Sequence, residues 1–264
     1  RNSYADYGDL VKGTSIWGNK KTQAAENNIG EILQDIFKEK LKSEYNGDIN
    51  KLREAWWEEN KKDVWDAITC GIPQNEMFVI RKKPPDGRGI EYRVTGKCGY
   101  SQELPDDDDI PQFLRWFKEW SNYFCRTNIE KKTNLETNCQ GCDGTKEMEC
   151  PNNKNAGGSK CKECVSTCRD YKTWITNQKE VYNEQQKKYT EKINETQNNS
   201  QSTSSGNTDN TYFKNLIDEN INSAEKYLES SNYETHCGKN NDINFDNVDT
   251  TFNHTPLICQ SCEE

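Results

Sequence analysis

Apolar residues recur at helical spacing along most of the chain. Ile29, Ile32, Leu33, Ile36, Phe37 and Leu41 follow an i, i+3, i+4, i+7 rhythm with Lys and Glu between them, and predict an amphipathic helix. A second helix is expected from about residue 50 to 69. Its apolar arc drifts from Leu52, Ala55 and Trp56 to Trp57, Val64, Trp65 and Ile68, the pattern of a helix covered on two sides. Residues 71–105 break this rhythm with Gly71, Pro73, Pro84, Pro85, Gly87, Gly89, Gly96 and Gly99. Within them, 78–80 and 90–94 read as short strands around a Pro-Pro-Asp-Gly turn.

The next helix follows Asp106–Asp109 and carries Phe113, Trp116, Phe117, Trp120 and Phe124 on one face, a core stripe rather than a ligand-stacking platform. The four contiguous aspartates lack the alternating spacing of a calcium loop and are expected to complement a helix N-terminus. The longest helix is predicted over 161–194. Positions 161, 164, 168, 171, 175, 178, 182, 185 and 189 step alternately by three and four, a narrow seam for packing along another helix. Residues 197–210 are Ser, Asn, Thr and Gln-rich and offer no core. Beyond them, Phe213, Ile217, Ile221, Ala224 and Leu228 predict a partner helix over 211–230, making an antiparallel hairpin. The fold class expected is mainly α: disulfide-rich helical bundles in two subdomains, the second built on that hairpin.

Cysteine usage sharpens this picture. Twelve cysteines stand at 70, 98, 125, 139, 142, 150, 161, 164, 168, 237, 259 and 262, in a chain with 31% apolar residues and a mean hydropathy of -1.16. An even count at this density belongs to an oxidising compartment, where cross-links support a fold that apolar burial alone would support poorly. Cys70 and Cys98 flank the Pro/Gly-rich segment and are expected to bridge. The other ten, Cys125, Cys139, Cys142, Cys150, Cys161, Cys164, Cys168, Cys237, Cys259 and Cys262, are expected to pair among themselves, in a connectivity that spacing leaves open. This division suggests one subdomain over 1–105 and another over 106–264. The rival is zinc, because Cys139-x2-Cys142 and Cys161-x2-Cys164 have four-thiolate spacing. Cys150 and Cys168 intrude on that set, so disulfides are the preferred reading and no metal is assigned.

Charge and motifs narrow the function. No phosphate loop, nucleophile elbow or zinc-protease motif is present, and His236 and His254 are the only histidines. Neither a catalytic residue nor a cofactor is called for, and an enzyme is not expected. A net charge of -9 argues against nucleic acid as partner. No stretch approaches the roughly 20 apolar residues of a membrane span, and no signal-like run is found, so the chain reads as a piece of a larger secreted or surface protein. One segment departs from the acidic average. Arg81, Lys82, Lys83, Arg88, Arg93 and Lys97 stand against Asp86 and Glu91, a local balance of +4. This is the candidate site for a sulfated or phosphorylated polyanion. Asn194-Glu-Thr, Asn198-Asn-Ser and Asn253-His-Thr match the glycosylation pattern.

Four blocks carry a resemblance: Ser3-Tyr-Ala-Asp-Tyr-Gly-Asp-Leu-Val-Lys-Gly-Thr-Ser-Ile-Trp17, Trp65-Asp-Ala-Ile-Thr-Cys70, Pro111-Gln-Phe-Leu-Arg-Trp-Phe-Lys-Glu-Trp120 with Phe124-Cys125-Arg126, and Cys161-Lys-Glu-Cys-Val-Ser-Thr-Cys168. They resemble the signature blocks of Duffy-binding-like domains, the adhesion modules of the malaria parasite's erythrocyte membrane protein 1 family. The first block looks closest to epsilon-type domains, including those of the placental variant. The resemblance implies the second and third subdomains of a three-subdomain fold, displayed outside infected erythrocytes on a larger membrane-anchored protein. It implies cytoadhesion to a host receptor, with chondroitin sulfate as the leading ligand. Immunoglobulin, an endothelial receptor, or neighbouring domains of the same chain are the other partners it suggests. The acidic net charge weighs against the glycan.

Overall fold

A computed structural model of the 264-residue chain describes residues 2–16, 20–71, 73, 77–82, 90–95, 104–139, 159–198, 208–230, 243–253, 256 and 259. The chain divides into two compact units, Arg1–Trp116 with Thr203–Tyr212, and Phe117–Ser202 with Phe213–Glu264.

The first unit contains α1 (Asn2–Lys12), α2 (Lys20–Ile36), α3 (Lys38–Ser43) and α4 (Ile49–Cys70). Helix α4 begins where the Asp48 carboxylate accepts the N–H groups of Asn50 and Lys51, a cap worth about 1 kcal/mol. The core gathers Tyr4, Trp57 and Trp65, with Val11, Val64, Ile68 and Leu104 packed around them. Tyr4 lies 5.2 Å from the Trp57 ring and 5.3 Å from that of Trp65, so three aromatics replace a larger aliphatic core.

Two expectations are corrected here. The run from Ile29 to Leu41 is not one helix, because the chain turns at Phe37 (φ -107, ψ 26) between α2 and α3. Its amphipathic apolar stripe also overstates burial. Leu33 and Leu41 are buried, whereas Ile32 is 55% and Ile36 67% exposed, since α2 packs on α1 and α4 along one narrow stripe. The strands are where the pattern puts them. β1 (Met77–Lys82) pairs antiparallel with β2 (Ile90–Thr95), Met77 opposite Thr95 and Lys82 opposite Ile90.

Helix α5 (Gln112–Asn138) starts in the first unit and continues through the second. The second unit is organised by α6 (Ser159–Asn198), 40 residues and so about 60 Å long. Its predicted seam is the buried one: Cys164, Cys168, Tyr171, Ile175, Tyr182 and Tyr189 are at most 9% exposed. The returning partner is two helices, α7 (Thr208–Asp218) and α8 (Ala224–Ser230), rather than one. They are separated at Asn220, which takes a left-handed φ of 61°. The break lets Tyr189 donate to the Ile221 carbonyl at 2.7 Å, while Tyr182 donates to Glu225 at 2.8 Å. These contacts run antiparallel along α6. Residues 199–207 of the low-complexity segment lie outside the described residues.

Aromatic rings fill the interior of this unit. Phe124 stacks on Trp174 at 5.5 Å and meets Phe252, of the short α9 (Val248–Phe252), at 5.1 Å. Tyr182 stacks on Phe245 at 5.4 Å. The expected face of α5 is therefore core, with Phe117 and Phe124 fully buried and Phe113 nearly so. Trp116 and Trp120 are half-buried, Trp120 donating to Gln178 at 2.9 Å.

Candidate functional site

The first signature block turns out to be a polar lock. Arg53 of α4 is 8% exposed and donates to the carbonyls of Val11, Leu10 and Glu26, at the C-terminal end of α1 and in α2. It satisfies carbonyls that a helix end leaves without intrahelical partners. Gly13 sits there with φ 80°, and a Cβ on it would come within 2.9 Å of the Arg53 guanidinium. Gly8 plays the same part toward the core, since a Cβ would approach Trp57 Cζ2 to 2.9 Å. On α5, Arg115 donates to Asp9 and, at 2.8 Å, to Asp6, with its side chain 3% exposed. Gln112 donates to Asp6 at 3.0 Å and accepts the Ile16 N–H at 2.7 Å. Burial pushes the Asp9 carboxyl above the usual carboxylate range despite Arg115, and Asp9 in turn raises Arg115.

The aspartate run has a role beyond the one its position suggested. Asp107–Asp109 form a single 3-10 turn ahead of α5, and Asp108 points into the core. Its carboxylate accepts Trp57 Nε1 at 2.8 Å and pairs with Lys61 at 3.6 Å, while its carbonyl accepts Lys12 at 2.7 Å. Asp108 therefore ties α1 and α4 to the turn that precedes α5. Burial and the Asp108 charge both push the Tyr4 hydroxyl above its ordinary range.

The basic candidates fall on the ribbon. Arg81 and Lys82 close β1, Arg81 opposite Glu91, and Arg93 lies in β2 opposite Val79. Lys83, Arg88 and Lys97 lie outside the described residues, as does the expected Cys70–Cys98 bridge. Cys70 and Cys125 are disulfide-bonded. Cys139 bonds to Cys164 and Cys168 to Cys259. Cys139 and Cys164, two of the four zinc-spaced thiols, are thus joined to each other.

Sequence reasoning passed over a cleft of about 230 Å³ between α5 and α6. It is lined by Lys131, Asn134, Asn138, Thr167, Asp170 and Tyr171. Lys131 lies 5.6 Å from the Trp174 ring centroid, and Tyr171 donates to buried Asn128 at 3.0 Å. Lys131 and Trp174 lie on different helices with no local sequence pattern linking them, so only the folded helix pair discloses this contact.

A helical, disulfide-linked module with its signature residues turned inward and a charged ribbon attached has the build of a binding domain. The Duffy binding domain model matches residues 1–115, and the C-terminal subdomain of the Duffy-binding-like domain matches 119–256. The chain belongs to the Duffy-binding-like family, a family of adhesion modules and not of enzymes. It is similar to the solved NTS-DBL1(alpha-1) domain of Plasmodium falciparum membrane protein 1 from the varO strain, with 28% identity and a TM-score of 0.78. That match covers 97% of this chain and 61% of the other. The ICAM-1-binding DBLbeta domain of a P. falciparum PfEMP1 protein shares the fold at 24% identity and a TM-score of 0.66, covering 100% of this chain and 61% of that one. The Duffy receptor of Plasmodium vivax is 27% identical over 184 residues, 68% of this chain but 14% of the receptor. The chain thus spans about three fifths of the solved domains and about a seventh of that receptor.

Proposed function

We propose that this chain is the receptor-contacting part of a cytoadhesion module, displayed outside infected erythrocytes on a larger membrane-anchored protein, with chondroitin sulfate as its leading ligand. Arg81, Lys82, Lys83, Arg88, Arg93 and Lys97 would carry the contact. The observation behind this reading is the β1–β2 pairing: it gathers Arg81, Lys82 and Arg93 on one ribbon in a chain of net charge -9. A sulfated chain held there mainly by charge is released by salt, since the Debye length is about 8 Å at physiological ionic strength. Replacing Arg81, Lys82 and Lys83 with Glu should abolish retention on a chondroitin sulfate surface and leave helicity unchanged. Undiminished retention by the triple variant would remove this site.

A host protein such as immunoglobulin or an endothelial receptor is the second reading. It is favoured by Ile32 and Ile36, one turn apart on α2 at 55% and 67% exposure, which leave apolar surface open for a protein partner to cover. Charge reversal on the ribbon would leave such binding intact, whereas Ile32→Glu with Ile36→Glu would weaken it. A chain that binds neither class of ligand would act by packing against neighbouring domains.

A further inference from the structure

The second unit holds two disulfides side by side. The Sγ atoms of Cys139, Cys164 and Cys168 all lie within 4.8 Å of one another, although Cys168 is bonded elsewhere, to Cys259. Cys168 is also the most exposed of the four residues, at 9% against 0% for Cys139, 0% for Cys164 and 2% for Cys259. We propose that this cluster is a thiol–disulfide exchange site whose reactant is a low-molecular-weight thiol. The thiol opens Cys168–Cys259, and the freed Cys168 thiolate then takes Cys139 from Cys164.

The steps balance. Two molecules of the small thiol are oxidised to their disulfide and deliver two electrons to Cys168–Cys259, leaving Cys168 and Cys259 reduced. The second step is redox-neutral. A bond forms between the Cys168 and Cys139 sulfurs, the Cys139–Cys164 bond breaks, and the electron pair leaves on Cys164, which becomes the thiolate. Exchange proceeds through a thiolate attacking a disulfide sulfur, and the close sulfur trio supplies that encounter without unfolding α6.

Geometry also selects which sulfur is attacked. Cys164 and Cys168 are four residues apart on one helix, where Cβ atoms stand about 5–6 Å apart. A disulfide needs Cβ atoms about 3.5–4.5 Å apart. Attack on Cys164 is therefore disfavoured, whereas Cys139, the residue following α5, carries no such restriction. The product keeps α5 stapled to α6, moved by four residues or about 6 Å. Cys259, and with it the segment after α9, is released from α6. Of these two disulfides the tether at Cys259 is thus the more reducible, and the α5–α6 cross-link outlasts it.

The test is limited reduction of the folded chain with a small thiol at neutral pH. An acid quench, denaturation, alkylation and disulfide mapping follow. The expected two-electron product carries one label on Cys259 and the other divided between Cys164 and Cys168 within about tenfold, the Cys164-labelled form containing a Cys139–Cys168 bond. Labels confined to Cys168 and Cys259, with no Cys139–Cys168 bond formed, would overturn the proposal, as would reduction of Cys139–Cys164 before Cys168–Cys259. A Cys259→Ser variant of native helicity provides a second arm. Its single label should divide between Cys164 and Cys168 within about tenfold, and a label confined to Cys168 would contradict the exchange.

Discussion

The two units solve the same problem, a fold with few aliphatic residues, by partly different means: both bury aromatic rings, and the first adds buried charge where the second adds sulfur. The first buries charge: Arg53 and Arg115 are 8% and 4% exposed, and Asp9 and Asp108 are both 4% exposed. Each makes directed contacts that tie one helix to another. The second buries rings and sulfur, with Phe117, Phe124, Tyr182 and Tyr189 at 0% exposure beside two adjacent disulfides. Directed polar contacts fix register and fail abruptly when one partner is lost. Ring packing tolerates change more gradually, and the disulfides act largely through the unfolded chain. The difference teaches that the family's first signature block is conspicuous for architecture, which leaves recognition to the surface.

The largest expected effect breaks the lock on one side only. Arg115→Met strands the buried Asp9 carboxylate and should destabilise the first unit by about 3–5 kcal/mol. Hydrogen exchange, read by mass spectrometry on peptides of α1 and α4, should rise sharply, while peptides of α6 and α8 change less. A comparable loss in the second unit requires removing a whole ring, about 3–5 kcal/mol for Phe124→Ala. Gly8→Ala is next. The added methyl meets a Trp57 ring that is fully buried and cannot move aside, so denaturant unfolding should show a loss of about 1–3 kcal/mol.

The smallest effect is pH dependence, and it has opposite sign at Asp9 and at Glu225. Burial raises the Asp9 and Glu26 carboxyls in the first unit. A carboxyl raised on folding takes up protons in the window above its unfolded value of about 4, so acidification through that window stabilises the fold. Glu225 in the second unit is lowered: hydrogen bonds from its own N–H, Tyr182, Ser223 and Gln186 outweigh its burial. Its contribution is present above the unfolded value of about 4.3 and is lost as pH falls through the lower folded value. Exchange protection in α1 should hold or rise on going from pH 7 to about 4.5, and protection in α8 of a Glu229→Gln variant, which leaves Glu225 as the shifted carboxylate of that helix, should fall only below that. Parallel behaviour of the two units would remove the distinction.

What was legible in the sequence follows the same division. The α6 seam and the aromatic face of α5 could be read because apolar residues at helical spacing report burial directly. The strands could be read from their flanking glycines and prolines. Arg53, Arg115, Asp9 and Asp108 were invisible to that logic, which assigns charge to solvent. The one available hint was the spacing of Gly8 and Gly13, whose missing Cβ atoms make room for Trp57 and Arg53. Ile32 and Ile36 misled in the other direction, since helical periodicity shows that an apolar face exists and not what covers it. The break at Asn220 was hidden because Phe213 and Leu228 suit one continuous helix as well as two.

The most direct test of recognition by the ribbon is lysine reactivity, measured by mass spectrometry on the whole chain with and without chondroitin sulfate at low salt. If the ribbon is the contact, acetylation of Lys82, Lys83 and Lys97 slows several-fold, that of Lys187 and Lys188 on α6 does not change, and the protection disappears as salt is raised. Equal slowing at all lysines, or protection confined to α6, would contradict it.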